Sequence, residues 1–129
     1  MNITPERIAT LSKNEIFVFG SNLGGKHDGG AAYTARAKFG AKQGQGVGLQ
    51  GQSYGIPTKR MSIEEIKPFV DDFIIFAKRH PELTFLVTRI GCGHSGHKDK
   101  DIASLFVDAL EMDNVALPES FIEIITEKK

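Results

Sequence analysis

Two kinds of hydrophobic periodicity alternate along the chain. Runs of β-branched and aromatic residues at 15–19 and 83–90 predict two strands that are buried on both faces. Apolar residues at helical spacing predict a helix over about 62–79, opened by a capping box and kinked or broken in its first turn at Pro68. The same spacing predicts another helix over about 98–110.

Caps, turns and shorter apolar runs predict the remaining elements. They are a short helix capped by Thr4, a helix over 31–39 ended by Gly40, an extended loop over 44–52, a short strand over 53–56 and a closing strand over 121–125. Helices therefore alternate with strands along the chain. This alternation predicts a single α/β domain over residues 1–129, with a three-layer α/β/α fold around a mainly parallel mixed sheet.

Length and charge narrow the class of protein. The chain has 129 residues, a size typical of one domain, and its 16 Lys and Arg balance 16 Asp and Glu. This neutrality argues against a nucleic-acid partner, because dedicated nucleic-acid binders carry a cationic surface. One cysteine excludes an internal disulfide framework, and neither a targeting signal nor a membrane-spanning apolar run is found. We therefore expect a cytoplasmic protein with no membrane partner.

Glycine is concentrated in two places, and each follows a predicted strand. Eleven of the fourteen glycines lie between Gly20 and Gly55, and the other three are Gly91, Gly93 and Gly96. Both loops leave the carboxyl end of a buried strand and enter a helix, where backbone amides and the helix dipole favour phosphate. Two such loops on one sheet edge predict a ligand with two phosphates, or with one phosphate and a second anion. Tight strand-to-helix turns are the alternative explanation for the glycines.

The second loop also matches G-x-G-x-x-G, the fingerprint of the dinucleotide-binding fold. That fold requires an acidic residue about 20 residues further on, at the end of the next strand. The chain there reads Ala116-Leu117-Pro118. We therefore expect a phosphate-binding loop without the dinucleotide fold.

Several polar side chains in the two loops are candidates for chemistry. Asp28 precedes the glycines of the first loop, and it is either a cap for the following helix or a general acid or base. Cys92 lies between two glycines and is expected to be a small buried side chain rather than a nucleophile. His27, His94 and His97 lack the spacing of a metal site, so we expect them to donate hydrogen bonds to phosphate or to line the mouth, with no metal and no cofactor bound.

The segment 17–23, FVFGSNL, followed by Gly29-Gly30-Ala31-Ala32, resembles the macro domain family, whose members bind ADP-ribose. In that family a buried strand ends in an asparagine-containing turn, and a run of glycines then opens a helix. The segment 90–97, IGCGHSGH, resembles the second family loop, which wraps the diphosphate. The chain departs from the family at Phe19, in place of the first asparagine, and in the Gly/Gln-rich stretch 44–52.

The resemblance implies roles for individual residues. Asn22 is expected to contact the distal ribose, and Glu15 the adenine. The implied ligand-binding residues are Glu15, Gly20, Ser21, Asn22, Gly29, Gly30, Ala31, Gly91, Gly93, His94, Ser95, Gly96 and His97. The candidate catalytic residues are Asn22, Asp28 and His27, which would serve a water that attacks the C1″ carbon of the distal ribose.

Three functions stay open from the sequence. The first is binding of ADP-ribose or a related nucleotide diphosphate with hydrolysis of an ADP-ribosyl or ADP-ribose-phosphate bond. The second is a non-catalytic reader of the same ligand. The third is a nucleic-acid or protein interaction module, with a basic rim around the glycine loops formed by Lys26, Arg36, Lys38, Lys42, Lys59 and Arg60.

Overall fold

Residues 2–92 and 95–127 are described by the computed structural model, and they form a six-stranded sheet. The strands are β1 (Asn2–Ile3), β2 (Glu15–Ser21), β3 (Gly48–Gln50), β4 (Ser53–Pro57), β5 (Thr84–Val87) and β6 (Val115–Leu117). Their order is β1-β6-β5-β2-β4-β3, and every neighbouring pair is parallel except β3 with β4. The predicted α/β class with a mainly parallel mixed sheet is confirmed.

Four α-helices and one 3₁₀ helix are formed in the described part of the chain, and the last of them follows the final strand. They are α1 (Gly30–Lys38), α2 (Ile63–Arg79), α3 (Asp99–Ala103), the 3₁₀ helix Ser104–Ala109 and α4 (Glu119–Glu127). The capping box of α2 is present, because Ser62 N donates to Glu65 Oε1 at 2.8 Å and Glu65 N donates to Ser62 Oγ at 3.2 Å. The helix runs unbroken through Pro68, so the predicted broken turn is wrong. None of these helices is long and apolar enough to cross a membrane.

Strand β2 lies at the switch point of the sheet, where the connections before and after it lead to opposite sides. The chain passes from β2 through α1 and the edge strand β3 to β4 on one side, and then returns through α2 to β5 on the other side. Because crossovers between parallel strands are right-handed, two crossovers in opposite directions place their helices on opposite faces. Phe17 and Phe19 of β2 accordingly pack with α1, whereas Ile16 and Val18 pack with α2. The result is the three-layer arrangement with two hydrophobic cores.

The predicted N-terminal helix is wrong. No helix forms over residues 4–12, and Thr4 N donates instead to Leu117 O at 2.8 Å, which extends the pairing of β1 with β6. Extended backbone at Thr4, which the following proline favours, is here used for pairing with β6 rather than to begin a helix.

The predicted closing strand over 121–125 is also wrong, because these residues belong to α4. Phe121 and Ile122 are buried and Ile125 packs against the same core, which is the i, i+1, i+4 spacing of a helix face. The strand that lies between β1 and β5 is β6, a three-residue apolar run that the sequence did not predict. The helix predicted over 98–110 is α3 followed by the tighter 3₁₀ helix rather than one α-helix.

Candidate anion-binding site

A cavity of about 730 Å³ lies at the carboxyl ends of β2, β4 and β5, and we call it the edge cavity. It is lined by residues 20–22, 26, 28–32, 58–60, 88–91 and 95. The two glycine-rich loops of the sequence thus meet at one edge of the sheet. Open α/β sheets bind ligands at this edge. The connections that follow the neighbouring strands β2 and β5 run in opposite directions, and a crevice opens between them.

Eight of the residues expected to bind ligand line the edge cavity. They are Gly20, Ser21, Asn22, Gly29, Gly30, Ala31, Gly91 and Ser95. The candidate acid or base, Asp28, lines it as well. Gly93 and His94 lie outside the described residues.

The N-terminus of α1 opens onto the edge cavity without a side-chain cap. Gly29 is the N-cap residue in extended backbone, and the cap position makes no side-chain hydrogen bond. Asp28 therefore does not cap this helix, so that interpretation of Asp28 is wrong. A Cβ built on Gly29 or Gly30 would meet no atom within 4 Å, which leaves the first turn open to the cavity. Uncapped amides and the positive end of the helix dipole favour an anion here.

The charges that line the edge cavity are mostly positive. Among the described residues that line it, Lys26, Lys59, Arg60 and Arg89 are cationic and Asp28 is anionic. The charge of Arg89 is offset by a salt bridge, because Arg89 Nε donates to Asp99 Oδ1 at 2.8 Å. The whole sequence, by contrast, has a formal net charge of zero. Cations are thus concentrated at one cavity of a neutral chain, which is the electrostatic requirement for binding an anion.

A third segment of the site follows β4 and was not among the predicted ligand-binding residues. Thr58 is 2% exposed, and its hydroxyl lies 3.2 Å from the hydroxyl of Ser95 across the floor of the cavity. Arg60 has φ of 62°, in the left-handed region that residues other than glycine rarely adopt. Such backbone strain concentrates at functional sites. Only the basic character of Lys59 and Arg60 was a signal for this segment in the sequence.

The side chain of Asn22 is engaged by its own loop. Asn22 Nδ2 donates to Lys26 O at 2.9 Å, and Lys26 N donates to Asn22 Oδ1 at 2.9 Å. Asn22 lines the edge cavity, but its amide closes the turn that carries Lys26. Its first role is therefore to shape the loop.

Two of the predicted site residues are placed away from the edge cavity. Glu15 is at the amino end of β2, about 16 Å from Gly20 at the rise of a strand, and its carboxylate accepts from Ser12 N at 2.7 Å. His27 is completely buried, and its ring packs edge-on against Phe19 with centroids 5.2 Å apart. The predicted adenine contact of Glu15 and the catalytic role of His27 are not supported by these positions. Only the carboxyl end of a parallel strand borders the edge cavity, so Glu15, at the amino end, is not among the residues that line it.

Gly96 and His97 lie beyond the part of the second loop that lines the edge cavity. His97 N donates to Gly91 O at 3.0 Å, and His97 Nε2 lies 2.7 Å from Met61 O. These bonds close the second loop and tie it to the segment after β4. In this structure the two hydrogen bonds of His97 hold the second loop in place.

A second cavity of about 1030 Å³ adjoins the first, and we call it the side cavity. The two share Ala31, Thr88 and Arg89 as lining residues. Its walls come from residues 3–9, one side of α1, residues 87–89, and residues 118–120 and 123, with apolar surface from Ile8 and Phe17 among others. Thr4 is among the lining residues, and its hydroxyl is buried below the cavity surface with no hydrogen-bond partner in the described part of the chain. The site thus has a cationic compartment and a larger, more apolar one.

Cys92 is a poor nucleophile in this environment. Its side chain is 8% exposed, and burial, together with the nearby Asp99, raises the pKa of the thiol from 9.0 to about 12. At pH 8 the thiolate fraction is therefore small, and the prediction of a small buried side chain fits these positions.

We expect the Cys92 thiol to react with a disulfide reagent at pH 8 at least about a hundredfold more slowly in the folded protein than in guanidinium-unfolded protein, because thiolate is the reacting form. The measurement is the rate of thiolate release from the reagent. Equal rates in the two states would contradict the buried environment.

No group of three or more His, Cys, Asp or Glu side chains in residues 2–92 and 95–127 is arranged to hold a metal ion. The chain matches no protein-family model, and no curated protein or solved structure matches it. The function is therefore inferred from the shape and charge of the two cavities.

Proposed function

We propose that the edge cavity binds ADP-ribose or a related nucleoside diphosphate. The observation that carries this proposal is the excess of positive charge around the uncapped N-terminus of α1, where Lys26, Lys59 and Arg60 are in none of the salt bridges of the described residues and Asp28 is the one carboxylate among the described lining residues. Backbone amides at a helix N-terminus and cationic side chains are the two features that proteins use to bind phosphate. The resemblance of both loops to those of macro domains supports the same class of ligand.

The adjoining side cavity supports a ligand larger than inorganic phosphate. The edge cavity alone is within the volume range of small-molecule sites, and the side cavity extends it through Ala31, Thr88 and Arg89. A nucleoside joined to a diphosphate matches a cationic compartment beside a more apolar one, because the faces of its base are apolar while its diphosphate is charged.

Binding is better supported than hydrolysis. Of the three candidate catalytic residues, His27 is buried away from the cavity and Asn22 is bonded to the backbone of Lys26. Asp28 remains at the cavity, but a single carboxylate without a partner base lacks the arrangement of groups that acid–base hydrolysis uses. A reader of the ligand therefore fits the site better than a hydrolase. No phosphate release is expected from ADP-ribose phosphate at concentrations that saturate binding.

The proposal is tested by thermal unfolding with ADP-ribose, NAD, ADP, AMP and inorganic phosphate. Ligand at about 100 times its dissociation constant stabilises the folded state by about 2.7 kcal/mol, which raises the melting temperature by several degrees in a domain of this size. We expect the largest shift with ADP-ribose and a shift that falls as salt is raised. Equal shifts with every anion, or no shift with any, would overturn the proposal.

Arg60 gives a second test, in which stability and affinity change in opposite directions. Arg60→Gly removes the strain of a left-handed residue and is expected to raise stability by up to about 1 kcal/mol. It also removes a cavity cation and is expected to weaken ADP-ribose binding about fivefold. Arg60→Ala keeps the strain, so the same loss of affinity should come without the gain in stability. Unfolding curves and calorimetric titration of the two variants separate these effects, and unchanged affinity in both would remove Arg60 from the site.

A further inference from the structure

The Gly/Gln-rich stretch of the sequence packs against the first glycine loop. Gly44 N donates to Gly25 O at 2.8 Å, and the Ser21 hydroxyl donates to Gly46 O. The buried His27 ring has Nε2 at 2.8 Å from Gln45 O and 3.2 Å from the side-chain oxygen of Gln50. Both partners are acceptors, so Nε2 carries the proton and His27 is the anchor of the loop on this stretch.

Gln43 extends this contact to the edge cavity. Its Oε1 accepts from His27 N at 3.0 Å, and its Nε2 donates to Asp28 Oδ1 at 3.1 Å. A single amide group thus holds the backbone of one residue and the carboxylate of the next. Asp28 is exposed, and the described residues form no bond to its Oδ2. One oxygen of the carboxylate is therefore held by Gln43, and the other can accept a hydrogen bond from a ligand.

A fixed carboxylate in a cationic cavity needs a reason, because it repels the anion that the cavity attracts. It does not cap α1, and the salt bridges found in the described part of the chain do not include it. A carboxylate accepts strong hydrogen bonds from hydroxyl groups, and the bond is strongest when the carboxylate is charged. Asp28 is therefore suited to a ligand that carries hydroxyl groups beside its phosphates.

We infer that Asp28 recognises sugar hydroxyls of the ligand and that Gln43 is the positioning residue that orients its carboxylate. The ligand class is then a diphosphate joined to a sugar with free hydroxyls, in preference to a diphosphate alone. This inference rests on the proposed function and adds to it the group that sets specificity.

Asp28→Asn separates this role from a structural one, because it shifts two affinities in opposite directions. The variant loses charge-assisted hydrogen bonds to hydroxyls, so ADP-ribose should bind about tenfold more weakly. It also removes a negative charge that repels the anion, so inorganic diphosphate should bind a few-fold more tightly. A purely structural role for Asp28 would weaken both ligands together. Both affinities are measured by calorimetric titration at low salt.

Gln43→Met keeps the length and the charge of the site but removes the amide. It removes the bond to Asp28 and also the acceptor for His27 N. ADP-ribose should therefore bind about threefold to fivefold more weakly relative to inorganic diphosphate, because a disturbed loop affects both ligands alike while the lost orientation of Asp28 affects only the sugar. The control is Gln52→Met, since the Gln52 side chain donates to Ser12 O and Glu15 O at the opposite end of β2. We expect this control to bind both ligands as the wild type does.

The outcomes distinguish the two proposals. If the wild type binds ADP-ribose and Asp28→Asn changes both affinities in the same direction or not at all, the inference on Asp28 is overturned and the proposed function stands. If Asp28→Asn behaves as expected but Gln43→Met keeps the wild-type ratio of the two affinities, the positioning role of Gln43 is overturned. If the wild type binds neither ligand, the proposed function fails and the inference fails with it.

Discussion

Gly46→Ala is expected to destabilise the protein by about 3 kcal/mol or more and to abolish ligand binding at the edge cavity. A Cβ on Gly46 would overlap Asn22 O and lie 3.1 Å from Leu23 O, and both contacts are with backbone that cannot rotate away. The clash must therefore separate the Gly/Gln-rich stretch from the loop that carries Asn22. The Ser21 hydroxyl, which donates to Gly46 O, would lose its partner as well. Urea unfolding and ADP-ribose titration measure the two losses.

The matched control for this substitution is Gly24→Ala in the same loop. Its Cβ would meet only Asn22 Oδ1, at 3.7 Å, which is an ordinary contact. We expect a change in the free energy of unfolding within about 0.5 kcal/mol, as for most exposed positions. Similar losses for both variants would show that the loop tolerates no side chain at all, and the close approach at Gly46 would then not be the cause.

Phe73→Ala is expected to cost about 3–5 kcal/mol of folding stability, a large part of the total for a domain of this size. Phe73 is completely buried on α2, and its ring lies 5.2 Å from that of Tyr54, 5.5 Å from that of Phe85 and 6.3 Å from that of Phe106. It thus joins α2 to β4, β5 and the 3₁₀ helix. Removing the ring leaves a cavity among elements that cannot all move inward.

The exposed position Ile75 on the same helix provides the comparison. Its side chain is 47% exposed, so Ile75→Ala should change stability by less than about 1 kcal/mol. Denaturant midpoints of both variants, measured with the wild type, give the difference. Equal effects at the two positions would mean that α2 is packed differently on the sheet.

The elements that the sequence predicted best are those whose patterns involve only neighbouring residues. The capping box at Ser62 and Glu65 and the apolar spacing that follows determine α2, because both are local features of a helix. The run of apolar residues that ends at Gly20 determines β2 in the same way. The convergence of the two glycine loops also follows from the sequence, since parallel strands present their carboxyl ends at one edge.

The errors occur where short segments depend on partners far away in the chain. Thr4 begins no helix because its backbone pairs with Leu117, a residue more than a hundred positions later. Phe121 and Ile122 belong to α4 because β6 already fills the sheet position, and a short apolar run alone does not distinguish strand from helix. His27 is a residue type that is common in functional sites. In the structure its loop packs against Phe19, and the side chain is buried in the interior.

The sequence by itself determined the α/β class, the two glycine-rich loops and the edge of the sheet where they meet, because these depend on periodicity and on the geometry of parallel strands. Only the tertiary structure decided which side chains enter the cavity. Asp28 reaches it and Glu15 does not, since the first follows the carboxyl end of β2 and the second lies at its amino end. The bond from Gln43 to Asp28 depends on the fold of the Gly/Gln-rich stretch against the loop, and such long-range contacts form only when the entropy of closing the chain is offset by packing on both sides.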